Sequence, residues 1–130
     1  MEHVTPEQAE EQLNKGVRKV SLETLDDILK KREEIEKKFK ANGPLGRFIS
    51  DLKLLIGVVQ DYAKGEYREI PWMSLAAIVA ALVYVVNPFD LIPDAIPGVG
   101  LVDDALVVTA CLKMVETDLH NYRDWKVKQA

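Results

Sequence analysis

An uncharged run of 20 residues, from Ile70 to Phe89, is the feature that most restricts how this 130-residue chain can fold. Within it, Trp72–Val86 is apolar on every side of a helix, so the helix must be enclosed by other helices or by lipid. Four alanines leave one side of this helix thin, which lets a neighbouring helix approach closely; they are Ala76, Ala77, Ala80 and Ala81. We interpret the segment as the central helix of a bundle.

Amphipathic helices are predicted on the N-terminal side of this segment. Capping residues and apolar spacing indicate one helix from Pro6 to about Gly16 and a longer one from Ser21 to about Ala41. The sequence Asn42-Gly43-Pro44 ends the second helix, because Gly and Pro are poor helix formers. A third helix with a broad apolar face follows from Leu45 and is predicted to end at Gly65. No sustained alternation typical of strands competes with these helices.

A proline-rich hinge follows the apolar segment. Residues 87–100 read NPFDLIPDAIPGVG, in which three prolines prevent a continuous helix and the unit Asp-Xaa-Ile-Pro occurs twice. A final long helix then begins at residues 101–104, with a predicted buried side from Ala105 to Val115. The predicted fold class is therefore all-α: a bundle of four to five helices, with the hinge between the last two long helices turning the chain back antiparallel.

The net charge of −4 comes entirely from one part of the chain. Residues 71–112 hold four acids and no base, whereas the rest of the chain has 17 acids and 17 bases. The absence of a basic excess excludes a general nucleic-acid binder. The four acids are Asp90, Asp94, Asp103 and Asp104.

Three roles fit these four aspartates. They can form turns and cap the following helix, because short acidic side chains bond to nearby backbone N–H groups. They can also bind a divalent cation such as Mg²⁺, Ca²⁺ or Mn²⁺, whose preferred ligands are oxygens. The third role is a docking surface for a basic partner. Capping is the preferred interpretation, and no cofactor is expected with it.

One basic stretch breaks the regular mixture of charges in the N-terminal half. Lys37, Lys38, Lys40 and Arg47 follow one another without an intervening acid. The helix that carries the lysines is predicted to be solvated on most of its surface. The basic stretch is the feature that favours a second interpretation, in which this part of the chain contacts a membrane surface or a partner.

No constellation of catalytic residues is recognised. His3 and His120 are each interpreted as surface histidines, and no serine lies in a nucleophile elbow. The single cysteine, Cys111, lies on an apolar helix face and is predicted to be a buried, unreactive thiol. We therefore expect that the protein is not an enzyme.

The hinge and its surroundings resemble a known family. Tyr84, Asn87–Asp94, Ile96-Pro97, Gly100 and Asp103-Asp104 resemble the signature of the DUF1232 (YkvA-like) family of small bacterial helical domains. The resemblance covers about residues 66–115. The length of the chain predicts one helical domain over residues 1–130, in which residues 1–65 form a charged helical extension that the resemblance does not cover. The family has no established activity, so the resemblance bears on fold and not on function.

The expected function is a non-enzymatic helical interaction or scaffold module for an unidentified protein partner, in the cytoplasm, with association at the surface of the inner membrane. Two alternatives remain open. One is a divalent-cation-binding protein that uses Asp90, Asp94, Asp103 and Asp104. The other is a membrane-embedded helical hairpin, since the uncharged run from Ile70 to Phe89 is near the length that spans a bilayer.

Overall fold

The structure is a computed structural model, which describes residues 6–41, 43–86 and 104–129. The regular structure of these residues is helical throughout and contains no strand, which confirms the all-α prediction. The predicted hinge at residues 87–100 lies outside the described residues. The helices are α1 (Pro6–Val17), α2 (Leu22–Lys30), α3 (Arg32–Ala41), the single turn α4 (Gly43–Gly46), α5 (Ile49–Ala63), α6 (Trp72–Val86) and α7 (Asp104–Gln129).

The apolar helix α6 is enclosed by other helices. Every residue from Leu75 to Leu82 has an exposed fraction of 0%. Contacts with α1, α2, α3, α5 and α7 surround α6, which agrees with the predicted central helix. The alanine side of α6 permits a close approach to α7, where the Cys111 thiol donates a hydrogen bond to the Ala77 carbonyl oxygen at 3.6 Å.

Contacts between the three long helices fix their relative directions. The Ser74 hydroxyl, near the start of α6, donates to the Asp118 carboxylate of α7, whereas Ala77 meets the earlier residue Cys111. These helices are therefore antiparallel. α5 runs parallel to α7, because Phe48 lies beside Thr109 and Asp61 lies beside Tyr122. We call the end where α5 and α7 begin the proximal end, and the end where they finish the distal end.

The long helix predicted from Ser21 to about Ala41 is in fact two helices. The backbone leaves the helical conformation at Lys31, with φ −98° and ψ 14°, and its amide bonds to the carbonyl of Ile28. The side chains buried on the two sides of the break are Leu25 and Ile28 in α2 and Ile35 and Phe39 in α3. The break lets each half direct its own apolar pair at the core.

The helix predicted from Leu45 to Gly65 is also divided. A turn at Arg47 and Phe48 separates α4 from α5, and the Phe48 amide bonds to the carbonyl of Leu45. The described residues therefore form more helical segments than the four to five predicted. The predicted helix starts agree better, since α1 begins at Pro6 and Ser21 is the N-cap of α2.

Candidate functional site

The predicted cation site falls on residues that the structure does not describe. Asp90, Asp94 and Asp103 lie outside the described residues, and Asp104 begins α7 without a described side chain. The capping, cation-binding and docking roles of these aspartates therefore remain predictions. Among the side chains that are described, no group of three or more His, Cys, Asp or Glu converges to hold a metal ion.

Cys111 and His120 lie where the sequence predicted, the first buried and the second on the surface. Cys111 has an exposed fraction of 0%, and burial raises the pKa of its thiol to about 12. A thiol with this pKa stays protonated at neutral pH and is a poor nucleophile. His120 is exposed on α7, while His3 lies outside the described residues.

The basic stretch forms an exposed corner of the protein. We call Lys37, Lys38, Lys40 and Arg47 the basic corner. All four are exposed, and none makes an ion pair with any described residue. The Arg47 guanidinium lies over the half-buried ring of Phe48, 4.7 Å from its centroid. The lysines occupy the C-terminal half of α3, where the helix dipole favours cations, and the acids Glu33 and Glu34 occupy its first turn.

The basic corner lies at the proximal end of the bundle. Arg47 and Phe48 immediately precede α5, and α4 contacts α7. Beside the corner, Phe48 and Leu54 of the α5 region and Leu112 of α7 line an open groove of about 310 Å³. The first acid after the corner is Asp51, which is half-buried on the same groove. Cations and an aromatic ring therefore meet at this end.

Aromatic residues gather at the opposite, distal end. Five of the six tryptophan and tyrosine residues of the chain lie there: Tyr62, Tyr67, Trp72, Tyr122 and Trp125. The Tyr67 ring lies 5.1 Å from the ring of Tyr122 and 4.9 Å from the ring of Trp125, between centroids. This cluster joins the loop at residues 64–71 to the last turns of α7.

A buried carboxylate organises the distal end. Asp61 of α5 has an exposed fraction of 4% and accepts hydrogen bonds from the Tyr122 hydroxyl at 2.6 Å and the Lys126 ammonium at 3.1 Å. Its backbone oxygen also accepts from the amides of Glu66 and Tyr67, which holds the loop against α5. Gly57 makes room for this arrangement, because a Cβ at that position would lie 2.9 Å from the Tyr122 hydroxyl. Two hydrogen bonds thus compensate the burial of the Asp61 carboxylate, and two more satisfy its backbone oxygen.

A groove of about 370 Å³ opens beside this network. We call it the distal groove; its acidic and aromatic lining consists of Tyr67, Glu69, Asp118, Asp124 and Trp125. The amide Asn121 and one cation, Lys128, complete the lining. The α7 residues fall on one face of that helix because they recur at intervals of three or four positions. The groove therefore combines three carboxylates with two aromatic rings.

Tyr67 contributes a buried hydroxyl to the distal groove. The residue has an exposed fraction of 3%, and its hydroxyl has no hydrogen-bond partner among the described residues. Burial raises the pKa of Tyr67, and the nearby carboxylates Glu69 and Asp118 raise it further. The hydroxyl is therefore protonated at neutral pH and faces a negative environment.

The residues of the distal end were not predicted from the sequence. The predicted buried side of the last helix stopped at Val115, yet Leu119 and Tyr122 continue the same face. The sequence could have predicted that continuation, because Leu119 lies four residues after Val115 and Tyr122 three residues after Leu119. The distal groove could not be predicted in this way. Its lining joins Tyr67 and Glu69 to Asp118 and Asp124, which lie about 50 residues further along the chain.

Within residues 6–41, 43–86 and 104–129, no helix combines the length and the apolarity needed to cross a bilayer. Comparisons with known proteins identify relatives of the chain. A family described as "Protein of unknown function (DUF1232)" matches residues 74–110. The "Uncharacterized membrane protein YkvA" of Bacillus subtilis (strain 168) is 30% identical over 80 residues, which cover 62% of this chain and 76% of the relative. No solved structure matches the chain.

Proposed function

The chain belongs to the DUF1232 family, and we propose that it is a non-enzymatic helical interaction module that binds the anionic surface of a membrane through the basic corner. The proposal places the protein in the cytoplasm, at the inner face of the inner membrane. Cytoplasmic leaflets carry anionic lipids, and their negative surface potential attracts clustered lysines and arginines. The proposed binding is peripheral and reversible.

The observation that carries the proposal is the basic corner. Its four cations are exposed at one end of the bundle, and no acid interrupts the sequence from residue 37 to residue 50. A Lys or Arg near an anionic surface contributes about 1 kcal/mol, so four together support weak but measurable binding. The half-buried Phe48 beneath Arg47 adds an apolar group at the same corner.

The relative supports the membrane part of this proposal. YkvA of Bacillus subtilis is called a membrane protein. Its 30% identity with this chain extends over most of the relative's length, which makes a shared location a reasonable inference. A peripheral mode of binding fits a bundle whose central helix, α6, is already enclosed by other helices.

The non-enzymatic part of the proposal rests on the chemistry of the described side chains. Cys111 is enclosed and its pKa is raised, so it is a poor nucleophile at neutral pH. The Ser74 hydroxyl donates to Asp118, a contact that ties α6 to α7. We therefore assign the exposed charges to binding and the buried polar groups to holding the helices together.

Vesicle binding tests the basic corner. The corner variant replaces its four cations with glutamine: Lys37→Gln, Lys38→Gln, Lys40→Gln and Arg47→Gln. We expect co-sedimentation with vesicles of phosphatidylglycerol and phosphatidylcholine to weaken by at least about tenfold, because the main attraction is lost. Binding of the unmodified protein should also fall as salt is added, since exposed charges are screened over about 8 Å at physiological ionic strength.

A matched control removes the same number of cations from outside the basic corner and the groove beside it. It carries Lys15→Gln, Lys64→Gln, Arg68→Gln and Lys128→Gln, all at exposed positions. This control should bind the anionic vesicles within about threefold of the unmodified protein, because its proximal end is intact. If the two variants lost vesicle binding equally, binding would depend on net charge alone, which would contradict a role for the basic corner.

A further inference from the structure

We infer that the distal groove binds a basic side chain, preferably arginine, presented by a peptide segment of a protein partner. This inference rests on the proposed function of an interaction module and names the chemistry of its partner. The groove lies at the end of the bundle opposite the basic corner. A module bound to a membrane through its proximal end would therefore present the groove away from that surface.

The charges of the groove favour a cation. Three carboxylates line it, against one ammonium from Lys128. The side chains of Glu69 and Asp124 make no ion pair or hydrogen bond with described residues, while Asp118 accepts from the Ser74 hydroxyl. An anionic lipid would be repelled by this lining, and a positively charged segment would be attracted to it.

The buried hydroxyl of Tyr67 is the second observation that points to a ligand. A buried polar group without a hydrogen-bond partner lowers the stability of the folded protein. Tyr67 has an exposed fraction of 3%, lines the groove and lacks such a partner among the described residues. A ligand N–H that donates a hydrogen bond to the Tyr67 oxygen would supply a partner for its acceptor side.

Arginine suits this lining better than lysine or a metal ion. Its guanidinium is planar, has five N–H donors and stacks on aromatic rings, so it can bond to carboxylates and contact Trp125 together. The Trp125 ring already contacts one cation of the chain, because the Lys126 ammonium lies 6.0 Å from the ring centroid. The carboxylates of the described residues do not converge as metal ligands.

Peptide titration tests the inference directly. The probe is a blocked hexa-arginine peptide, and the signal is the fluorescence of Trp125 in a Trp72→Phe background, which leaves one tryptophan. We expect saturable, salt-sensitive binding that is stronger for hexa-arginine than for hexa-lysine. Hexa-glutamine should not bind. An absence of saturable binding by hexa-arginine would overturn the inference.

Three variants locate the peptide site. Glu69→Gln with Asp124→Asn should weaken binding by about tenfold, as expected for two charge-assisted contacts. Tyr67→Phe should weaken it by about fivefold while keeping the ring, since one hydrogen bond contributes about 1 kcal/mol, which is about fivefold in affinity. Lys128→Gln should strengthen binding, because it removes the only cation of the lining. A merely structural role for these residues would not give effects of opposite sign.

The control variant, Glu33→Gln with Glu34→Gln, removes two exposed acids from the first turn of α3. It should leave peptide binding within about twofold of the unmodified protein. If this control lost as much peptide binding as Glu69→Gln with Asp124→Asn, the peptide would be attracted by overall charge only, and the inference would be overturned. Vesicle binding without peptide binding would refute the groove alone, and peptide binding without vesicle binding would refute the membrane proposal alone.

Discussion

Replacing Tyr122 with alanine is expected to lower the free energy of unfolding by about 3–5 kcal/mol. The Tyr122 ring has an exposed fraction of 1% and packs against Tyr67 and Trp125, so truncation leaves a large cavity. The buried Asp61 carboxylate would also lose its 2.6 Å hydrogen bond and keep only Lys126 as a side-chain partner. Denaturant unfolding of the two proteins measures the difference.

Tyr122→Phe separates the two contributions. It keeps the ring and removes the hydroxyl that Asp61 accepts from, so we expect a loss of about 1–3 kcal/mol. Trp125→Phe offers a comparison at a neighbouring, half-buried ring that makes no hydrogen bond to Asp61. If Tyr122→Phe were as stable as the unmodified protein, Asp61 would not depend on this hydrogen bond.

The second large effect is a loss of stability at alkaline pH. The pKa of Cys111 is raised from 9.0 to about 12 in the folded protein because the thiol is buried. Above pH 9 the unfolded chain therefore binds fewer protons than the folded protein, and the free energy of unfolding falls as pH rises. At about 1.4 kcal/mol for each pKa unit, the thiol accounts for a loss of about 4 kcal/mol by pH 12.

Cys111→Ala isolates this contribution. We expect the variant to be less stable at neutral pH, because the smaller side chain leaves a gap between α6 and α7. Its stability should nevertheless fall less steeply than that of the unmodified protein between pH 9 and pH 10.5. Tyr122 adds a parallel decline above pH 10, since burial and its hydrogen bond to Asp61 raise its pKa. Identical pH dependence in both proteins would contradict a buried thiol.

The central helix could be predicted because its sequence leaves few alternatives. An apolar segment with no charge from Ile70 to Phe89 must be covered, and the amphipathic helices before it supply apolar faces of the right kind. The alanine face of α6 could also be predicted from the sequence. The hydrogen bond from the Cys111 thiol to the Ala77 carbonyl shows that α7 packs closely against this face. Local pattern and tertiary packing agree in this part of the chain.

Helix breaks and the distal groove were harder to predict because they depend on tertiary contacts. The charge pattern continues regularly across Lys31, so the sequence does not indicate a break there. The break is explained by tertiary packing, because α2 and α3 each direct a pair of apolar side chains at the core. Asp61 occurs among apolar residues of α5, and its compensation requires Tyr122 and Lys126 from α7. The basic stretch was visible in the sequence, but its position at the proximal end required the fold.

The most direct test of the membrane proposal is to determine which end of the bundle touches the lipid. An environment-sensitive fluorophore is attached at Ala41→Cys, an exposed position in the basic corner region, or at Glu66→Cys, an exposed position at the distal end. Cys111 is buried and should not react. With phosphatidylglycerol vesicles, we predict a blue shift of emission at position 41 and none at position 66. A shift at position 66 alone, or bound protein with no shift at either position, would contradict the proposal.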